Sequence, residues 1–436
     1  RSQAPLMTAS AATSDSTGKL FTGDKVRTFT GNWRFQEQTK NKKFKASKNS
    51  NKNKNILGSI RKYNCTKWAV VTTIFEPSDG VKAVAEHLTD WCMVVVGDTK
   101  TPTDYAKSAG WDDNSKNLVF LSVKDQQKIT HPFIDKIPYR SFARKNIGFL
   151  FAVLQGARTI FDFDDDNVIT SNAATTINTF ANDPTVMAQT VTKLPSSYKN
   201  PAFNPFPLMK PSITSPKPWP RGFPIEQVQN AETWGDNATI VNSQVDLSTV
   251  GVIQSVCDGD PDVDAIYRLT HPLPLTFGNG PDAHHLVVPR DKYVPYNAQA
   301  TIHYYKAFWG LFLPWTVTGR VTDIWRSYIT DRILKDIDMD VMYSTPLVTH
   351  HRNEHSYLAD FEAETHLYLR TAKLLEFLNE WDSTEQTTLP ARLEKLWIEL
   401  YERNYFEMDD IVGVQEWLAA LQHGGYEFPT VSSSAS

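Results

Sequence analysis

Four apolar runs alternate with helical patterns between residues 67 and 166, and this alternation restricts the possible folds more than any other feature of the chain. The runs read KWAVVTTIF, CMVVVGD, NLVFLSV and TIFDFDD, and the segments VKAVAEHLTDW and SFARKNIGFLFAVLQGA between them have helical spacing. Strands that are apolar throughout are typical of a parallel sheet that is covered by helices on both faces. The pattern therefore predicts an α/β fold.

The second half of the chain predicts a different organisation. Nine prolines between Lys193 and Pro224 exclude regular structure and indicate an ordered irregular excursion or a lid. VGVIQSV and AIYRLT, further along, have the character of strands. After Ala307 the spacing becomes helical, in DIWRSYITDRILKDI, EAETHLYLRTAKLLEFLNEW, LPARLEKLWIELYERN and MDDIVGVQEWLAALQHGG, which predicts a compact helical region beside the sheet.

These patterns divide the chain into segments. Residues 1–62 lack apolar periodicity and are rich in Ser, Thr, Lys and Asn, which predicts a flexible basic stem or arm. The α/β domain is expected over residues 63–355, with the Pro-rich excursion at 193–224 inside it. A C-terminal helical subdomain is expected over residues 356–430, followed by a disordered tail at 431–436.

Composition excludes some function classes. The net charge is −4 and the pI is near 6.3, so no overall basic field indicates binding to nucleic acid. No run of about 18 apolar residues is present, so nothing in this sequence is expected to span a membrane. The first residue is Arg rather than Met, which leaves open whether a signal or an anchor precedes it.

The three cysteines, Cys65, Cys92 and Cys257, are too scattered for a zinc site, and at most one pair of them can form a disulfide. Two sequons, at Asn64 and Asn237, permit a secretory route. By themselves, neither the cysteines nor the sequons establish a secretory location.

The stretch TIFDFDDDNVI places four carboxylates, Asp162, Asp164, Asp165 and Asp166, in five positions at the end of a buried strand. Ligands of open α/β sheets bind beyond the carboxyl ends of the strands, and Asp98 in VVVGDTK follows another strand there. Crowded carboxylates suit a hard divalent cation, such as Mn²⁺ or Mg²⁺, whose open coordination positions accept a diphosphate. The competing interpretation is a solvated acidic turn.

Three further groups of residues carry chemistry. In YRSFARKNIG, the cations Arg140, Arg144 and Lys145 could meet a phosphate or a base edge, although Arg140 by itself is expected to serve surface solubility. In VTHHR, His350 and His351 are candidate ligands for a metal of the Mn²⁺ class.

The third group is in GRVTDIWRSY. Asp323 lies three residues from Arg320 and from Arg326, so a structural salt-bridge network competes with a catalytic role for this carboxylate.

Taken together, WAVVTTI, VVVGDTKTP, YRSFARKNIGFLFAVLQGA and IFDFDDD resemble the nucleotide-sugar-binding half of GT-A glycosyltransferases. WPRGFPIE, PDVDAIYRL, RVTDIWRSY and VTHHR extend this likeness, and the whole set resembles the STELLO family of Golgi-associated glycosyltransferase-like proteins over residues 67–428. A more distant likeness, in DDD and GRVTDIW, is to plant reversibly glycosylated polypeptides, which act as UDP-arabinopyranose mutases. The resemblance implies a GT-A fold, Rossmann-like with a mostly parallel sheet, followed by the helical region.

The resemblance also implies roles for individual residues. Asp164 and Asp166 stand where GT-A enzymes have their DXD motif, which holds Mn²⁺ and the donor diphosphate, and His351 resembles the late histidine that completes the metal site. Asp323 matches an acidic residue that faces the acceptor, where an inverting enzyme needs a general base. The implied donor-binding residues are Thr72, Thr73, Asp98, Lys100, Arg144, Lys145, Asp164, Asp165 and Arg352.

The function implied is a metal-dependent glycosyltransferase that takes a sugar from a UDP-sugar and transfers it to a glycan or protein acceptor. The resemblance further implies the Golgi lumen, a membrane anchor outside this sequence and other glycosyltransferases as partners. Two alternatives stay open at this point: a UDP-sugar mutase, and a non-catalytic scaffold that keeps the fold.

Overall fold

The protein is described by a computed structural model, which covers residues 25–36, 56–57, 60–111, 115–169, 171–235, 237–278, 284–350, 356–382 and 384–432 of the 436-residue chain. The strands within these ranges are β1 (Lys67–Thr73), β2 (Cys92–Gly97), β3 (Leu118–Leu121), β4 (Thr159–Asp162), β5 (Asn167–Ile169), β6 (Thr185–Lys193), β7 (Thr239–Asp246), β8 (Val250–Gly259), β9 (His285–Val287), β10 (Thr301–Tyr304) and β11 (Asp340–His350).

The α-helices are α1 (Asp79–His87), α2 (Tyr105–Ser108), α3 (Val123–Gln126), α4 (Pro132–Lys136), α5 (Lys145–Leu154), α6 (Ser171–Asn182), α7 (Ala265–Thr270), α8 (Gly319–Lys335), α9 (Tyr357–Ala363), α10 (Thr365–Glu380), α11 (Leu389–Glu402) and α12 (Met408–His423). None of these described helices combines the length and the apolar content that crossing a lipid bilayer requires.

One sheet contains all of these strands, in the order β3-β2-β1-β4-β10-β8-β11-β9-β6-β7, with β5 paired to β11 outside this path. β3, β2, β1 and β4 are parallel to one another, whereas β10 is antiparallel to both β4 and β8. β11 is parallel to β8, so β4, β8 and β11 all run in one direction. Their carboxyl ends, at Asp162, Gly259 and His350, therefore lie along the same edge of the sheet.

Helices cover both faces of this sheet, as the apolar strands predict. Along β1, Trp68 and Val70 face one core, which includes α5, α8 and the C-terminal helices. The alternate residues Ala69 and Val71 face a second core, which includes α1 and α6. The expected α/β class is confirmed.

The helix α5 lies unusually close to the sheet. A Cβ atom at Gly148 would stand 2.6 Å from Cγ1 of Val70 and 2.8 Å from Cγ2 of Val96, so only glycine allows this approach. The residues of α5 from Lys145 to Val153 are all buried as a result. This close packing puts the first residue of the helix under the edge of the sheet that carries the aspartates.

The predicted C-terminal helical region is also confirmed, and it packs directly beside the sheet. The ring of Trp417 on α12 lies 5.5 Å from that of Phe133 on α4, and its indole N–H donates to the carbonyl of Trp309 over 3.0 Å. The ring of Trp397 on α11 lies 5.3 Å from that of Phe312. These contacts make one continuous apolar core out of the helical region and one face of the sheet.

Part of the predicted flexible stem is attached to these helices. The guanidinium of Arg27 lies 3.9 Å from the centre of the Tyr401 ring, and the backbone N–H of Phe29 donates to Glu402 over 3.0 Å. The backbone N–H of Arg34 donates to Glu394 over 2.6 Å. Residues 25–36 are therefore docked on α11, which corrects the expectation for that part of the stem, while the lysine-rich run at 40–55 lies outside the described residues.

The start of the predicted tail is attached as well. The backbone N–H of Ser432 donates to the carbonyl of Asp336 over 2.8 Å, so the chain is still ordered at that residue. Residues 433–436 lie outside the described part.

Two secondary-structure predictions were wrong. AIYRLT forms the helix α7 rather than a strand, because Asp264 caps its N-terminus by accepting the N–H of Tyr267 over 2.8 Å. The strand β11 lies within the segment that was predicted to be helical. Its apolar pattern is interrupted at Ser344–Pro346, where the register with β8 shifts, and this interruption hides the strand signal.

The Pro-rich excursion is ordered and irregular, as predicted, and it packs against the protein instead of standing free. Phe203, Phe206 and Phe223 are buried in the core. The indole N–H of Trp219 donates to Asp264 over 2.6 Å, so this tryptophan has a packing role.

Cys65, which lies just before β1, forms a disulfide with Cys92, the first residue of β2. Cys257 is a buried free thiol. We expect one reactive thiol per chain in denaturant without a reductant and three after reduction, counted by mass after alkylation. Closing a loop of 27 residues stabilises a fold by about 3 kcal/mol, so reduction should lower the melting temperature. Three reactive thiols before reduction would contradict the pairing.

Candidate functional site

A pocket of about 350 Å³ opens beyond the carboxyl ends of β1, β2 and β4. This is the position where open α/β sheets bind ligands, and the volume is in the range of small-molecule sites. Its lining residues come from the three strand ends and from the segment that precedes α5: Thr72, Thr73, Ile74, Phe75, Asp98, Lys100, Arg140, Ser141, Phe142, Asp164, Asp165 and Asp166.

The acidic run turns sharply at this pocket. β4 ends at the buried Asp162, and the chain then makes a turn in which the N–H of Asn167 donates to the carbonyl of Asp164 over 3.1 Å. The amide of Asn167 also donates to Asp166 over 3.1 Å. The side chains of Asp164 and Asp166 keep 33% and 29% of their surface exposed, so both can reach a ligand in the pocket.

Lys145 supplies the positive charge beneath the aspartates. Its ammonium has no exposed surface, and it lies 2.5 Å from Asp162 and 3.0 Å from Asp164. It also donates to the carbonyls of Phe163 and Ala298, over 2.7 and 2.8 Å. Burial alone would lower the pKa of Lys145, but the two carboxylates raise it, so the lysine stays charged. Lys145 is therefore below the pocket, not on its wall.

Burial disfavours the charged form of two carboxyl groups in the pocket. Burial raises the pKa of Asp164 to about 7, and the neighbouring Asp166 and Asp162 add to this effect against the opposing charge of Lys145. Burial also raises the pKa of Asp165, whose carboxylate accepts a hydrogen bond from the Thr73 hydroxyl. Carboxylates whose charges are penalised in this way favour a cation between them.

His350, at the end of β11, faces the same carboxylates. Its Nε2 lies 2.9 Å from Oδ2 of Asp166, and its Nδ1 lies 2.7 Å from the carbonyl oxygen of Asp260. Both partner atoms are acceptors, so Nε2 and Oδ2 of Asp166 suit a shared cation. The sequence favoured His351 as the ligand, and His351 and Arg352 lie outside the described residues.

The strand ends that were predicted to hold the donor do line the pocket. Thr72, Thr73, Asp98 and Lys100 are all on its wall. Asp98 accepts the N–H of Thr99 over 2.6 Å and that of Ser141 over 3.3 Å, so it connects the end of β2 to the segment before α5.

In the segment before α5, Arg144 was predicted to bind the donor and Arg140 to lie on the surface, but it is Arg140 that lines the pocket. Arg144 is 2% exposed and donates to the carbonyl of Ile137 over 3.0 Å and to Gln126, so it points into the protein. Arg140, which was assigned to the surface, lines the pocket and has a left-handed backbone conformation with φ of 56°. The sequence could not distinguish them, since each is a basic residue in the same loop.

Asp323 is buried in an ion pair with a residue from the Pro-rich excursion. Its two oxygens lie 3.1 and 3.0 Å from the guanidinium nitrogens of Arg221, and the N–H of Ala298 donates to Oδ2 over 3.1 Å. Neither of the expected neighbours makes this pair, because Arg320 binds Glu364 and Arg326 faces Asp162.

Reasoning from the sequence missed the apolar wall of the pocket, formed by Ile74, Phe75 and Phe142. Ile74 and Phe75 keep 38% and 56% of their surface exposed, which is unusual for such side chains. The signal that could have found them is an apolar pair directly after a buried strand at the ligand edge.

The residues present fit a divalent cation in an open site. Within the described part of the chain, no three His, Cys, Asp or Glu side chains are arranged to hold a metal by themselves. Mg²⁺ and Mn²⁺ are usually bound by one or two carboxylates together with substrate phosphates, and Asp164, Asp166 and His350 offer that kind of incomplete set.

Residues 320–435 match the family model of STELLO glycosyltransferases. Two proteins of Arabidopsis thaliana, named probable glycosyltransferase STELLO2 and probable glycosyltransferase STELLO1, are 28% and 27% identical to the chain over 382 and 378 residues. The chain is therefore similar to STELLO proteins, over its C-terminal part by the family model and over most of its length by the two relatives. The alignments cover 85% of this chain and 46% of each STELLO relative, so the chain spans about half the length of the curated relatives it matches.

The segment matched by the STELLO family model contains Asp323, His350 and the helices α10, α11 and α12. The aspartates of the pocket precede that segment.

Proposed function

We propose that the protein is a metal-dependent glycosyltransferase that uses a UDP-sugar donor and a glycan or protein acceptor. The observation that carries this proposal is that His350 contacts Asp166, which lines the pocket together with Asp164, although His350 follows the aspartates by more than 180 residues. The similarity to proteins named as probable glycosyltransferases supports it.

In this proposal Asp164, Asp166 and His350 hold Mn²⁺ or Mg²⁺. When bound, the metal ion would stabilise the negative charge on the departing diphosphate. Lys145 keeps Asp164 in place from below, since it is the buried cation that both Asp162 and Asp164 contact. His351 and Arg352 remain predicted ligands of the metal and the donor.

The two other walls of the pocket suit a nucleoside diphosphate. Phe75 and Ile74 present apolar surface to a base, and Lys100 and Arg140 present positive charge to phosphates. Thr73 and Asp98 also line the pocket and offer polar groups to the hydroxyls of a ribose.

Asp323 stays the predicted general base for an inverting reaction. Its oxygens are both occupied by Arg221 in this geometry, so proton removal requires that Arg221 moves away. The ion pair keeps the carboxylate oriented until then.

We propose a location in the secretory pathway, specifically the Golgi lumen, with a membrane anchor outside this sequence and with other glycosyltransferases as partners. A disulfide between Cys65 and Cys92 suits an oxidising compartment. The sequon residues Asn64 and Asn237 are both exposed, so each is accessible to glycosylation.

A thermal-shift panel tests the proposal. UDP-, GDP- and CMP-sugars are added with and without Mn²⁺, and we expect stabilisation by the uridine nucleotide only when the metal is present. Equal shifts with and without metal would contradict the role of the aspartates. A new UDP-sugar isomer formed without an acceptor would instead indicate a mutase.

A further inference from the structure

The side chain of His350 contacts a short loop, residues 260–263, that follows β8. Asp260 is the first residue of this loop, and its carbonyl oxygen lies 2.7 Å from Nδ1 of His350. A carbonyl only accepts, so this contact is a hydrogen bond when Nδ1 is the protonated nitrogen, and Nε2 is the nitrogen that faces Asp166. The position of one backbone carbonyl therefore decides which imidazole nitrogen is available in the pocket.

Backbone geometry brings this carbonyl close. Gly259 has φ of 91°, in the left-handed region that favours glycine, and a Cβ atom there would stand 3.0 Å from the carbonyl oxygen of His350. A sharp turn at Gly259 thus lets the loop run alongside the end of β11.

The buried side chain of Arg268, on α7, holds the loop from behind. Its Nε donates to the carbonyl of Val263 over 3.1 Å, and one terminal nitrogen donates to the carbonyl of Pro261 over 2.7 Å. The other terminal nitrogen forms an ion pair with the carboxylate of Asp260. The guanidinium therefore spans the loop from its first residue to Val263 and has no exposed surface.

A second arginine holds the same loop from the other side. The backbone N–H of Arg221 donates to the carbonyl of Asp262 over 2.8 Å, and its Nε donates to the Asp262 carboxylate over 2.7 Å. Arg221 also binds Asp323, so its substitution would disturb two groups at once. Arg268 has no contact of this kind with Asp323 among those described, which makes it the cleaner probe.

We infer that Arg268 is a positioning residue for the metal site: by fixing the Asp260 carbonyl, it orients the imidazole of His350 with Nε2 towards Asp166. This inference rests on the proposed function, in which His350 is a metal ligand. Residues that orient a metal-binding histidine typically change metal affinity by about 10- to 100-fold when they are removed.

The test is a titration of the purified protein with Mn²⁺ in the presence of UDP, followed by electron paramagnetic resonance. Arg268→Met keeps most of the side-chain volume and removes the contacts to Val263, Pro261 and Asp260, and we expect about 10- to 100-fold weaker Mn²⁺ binding. Arg268→Lys keeps the charge next to Asp260 and should restore part of the affinity. His350→Gln sets the loss expected when the ligand itself is removed.

Arg370→Met is the matched control. Arg370 is a buried arginine on α10 that also donates to backbone carbonyls, those of Asn404 and Arg403, over 2.8 and 3.0 Å. Its loss should lower stability without a change in Mn²⁺ affinity. The visible spectrum of bound Co²⁺ gives a second readout, because Arg268→Met should alter the nitrogen ligation whereas Arg370→Met should not.

The outcomes separate the two proposals. If the wild-type protein shows no Mn²⁺-dependent binding of UDP, the proposed function fails. If the wild type binds and His350→Gln weakens binding, but Arg268→Met and Arg268→Lys both bind as the wild type does, the inference about Arg268 alone is overturned. Should Arg268→Met not fold, Arg268→Gln, which removes the charge next to Asp260, replaces it and is judged by the same criterion.

Discussion

Replacing Asp164 and Asp166 together by asparagine should abolish Mn²⁺-dependent UDP binding and lower glycosyl transfer by at least about 1000-fold. Asparagine keeps the shape of both side chains and removes the two charges that face the pocket. In the proposed function, loss of the metal would remove stabilisation of the leaving diphosphate, an electrostatic contribution of several kcal/mol. Isothermal titration with UDP and Mn²⁺, together with turnover of UDP-sugars, measures both effects.

The same double variant should fold normally. Asp164 has its pKa raised to about 7, chiefly by burial, so its charge costs stability in the unliganded protein and its removal should not weaken the fold. Asp104→Ala, at an exposed carboxylate, is the control for a general change of charge and should leave binding unchanged. If the double variant retains metal-dependent binding, the aspartates are not the metal site.

Lys145→Met should destabilise the protein by about 3–5 kcal/mol. Asp162 has no exposed surface, and Lys145 is its close partner at 2.5 Å, whereas Arg326 and His303 stand 3.8 and 3.7 Å away. Without the ammonium, a buried carboxylate loses its close counter-charge and the carbonyls of Phe163 and Ala298 lose a donor. Urea unfolding followed by tryptophan fluorescence measures the change.

A second substitution checks the cause. Lys145→Met combined with Asp162→Asn removes both members of the ion pair, so the combined variant should recover part of the lost stability. Lys100→Met is the matched control, because Lys100 is an exposed lysine on the wall of the same pocket and should change stability by less than about 0.5 kcal/mol. A single Lys145 variant as stable as the wild type would show that other cations compensate for Asp162.

The first half of the fold could be predicted because its signals are local. Each strand from β1 to β4 is a continuous apolar run, and each turn after it contains polar residues or Gly. The strand β11 and the helix α7 could not be predicted in this way. Ser344–Pro346 interrupts the apolar pattern of β11, and AIYRLT is helical because Asp264 caps it and Trp219 holds Asp264 from a segment 45 residues away.

The pairing of charged side chains was also beyond prediction from the sequence. Asp323 has arginines three residues away on each side, which suggested a local network, yet its partner Arg221 is 102 residues distant in sequence. Helical spacing predicts which side chains of one helix can contact each other. It does not predict a contact with an arginine from another segment of the chain.

The sequence by itself determined the α/β class, the acidic run at the end of a buried strand and most of the residues at the strand ends of the pocket. These features follow from periodicity and from the chemistry of neighbouring residues, which are properties of short stretches. Only the tertiary structure decided that Lys145 lies beneath the aspartates, that Arg140 rather than Arg144 reaches the pocket, and that His350 faces Asp166. The reason is that β4, β8 and β11 run in one direction within a single sheet, and strand order depends on packing across the whole domain.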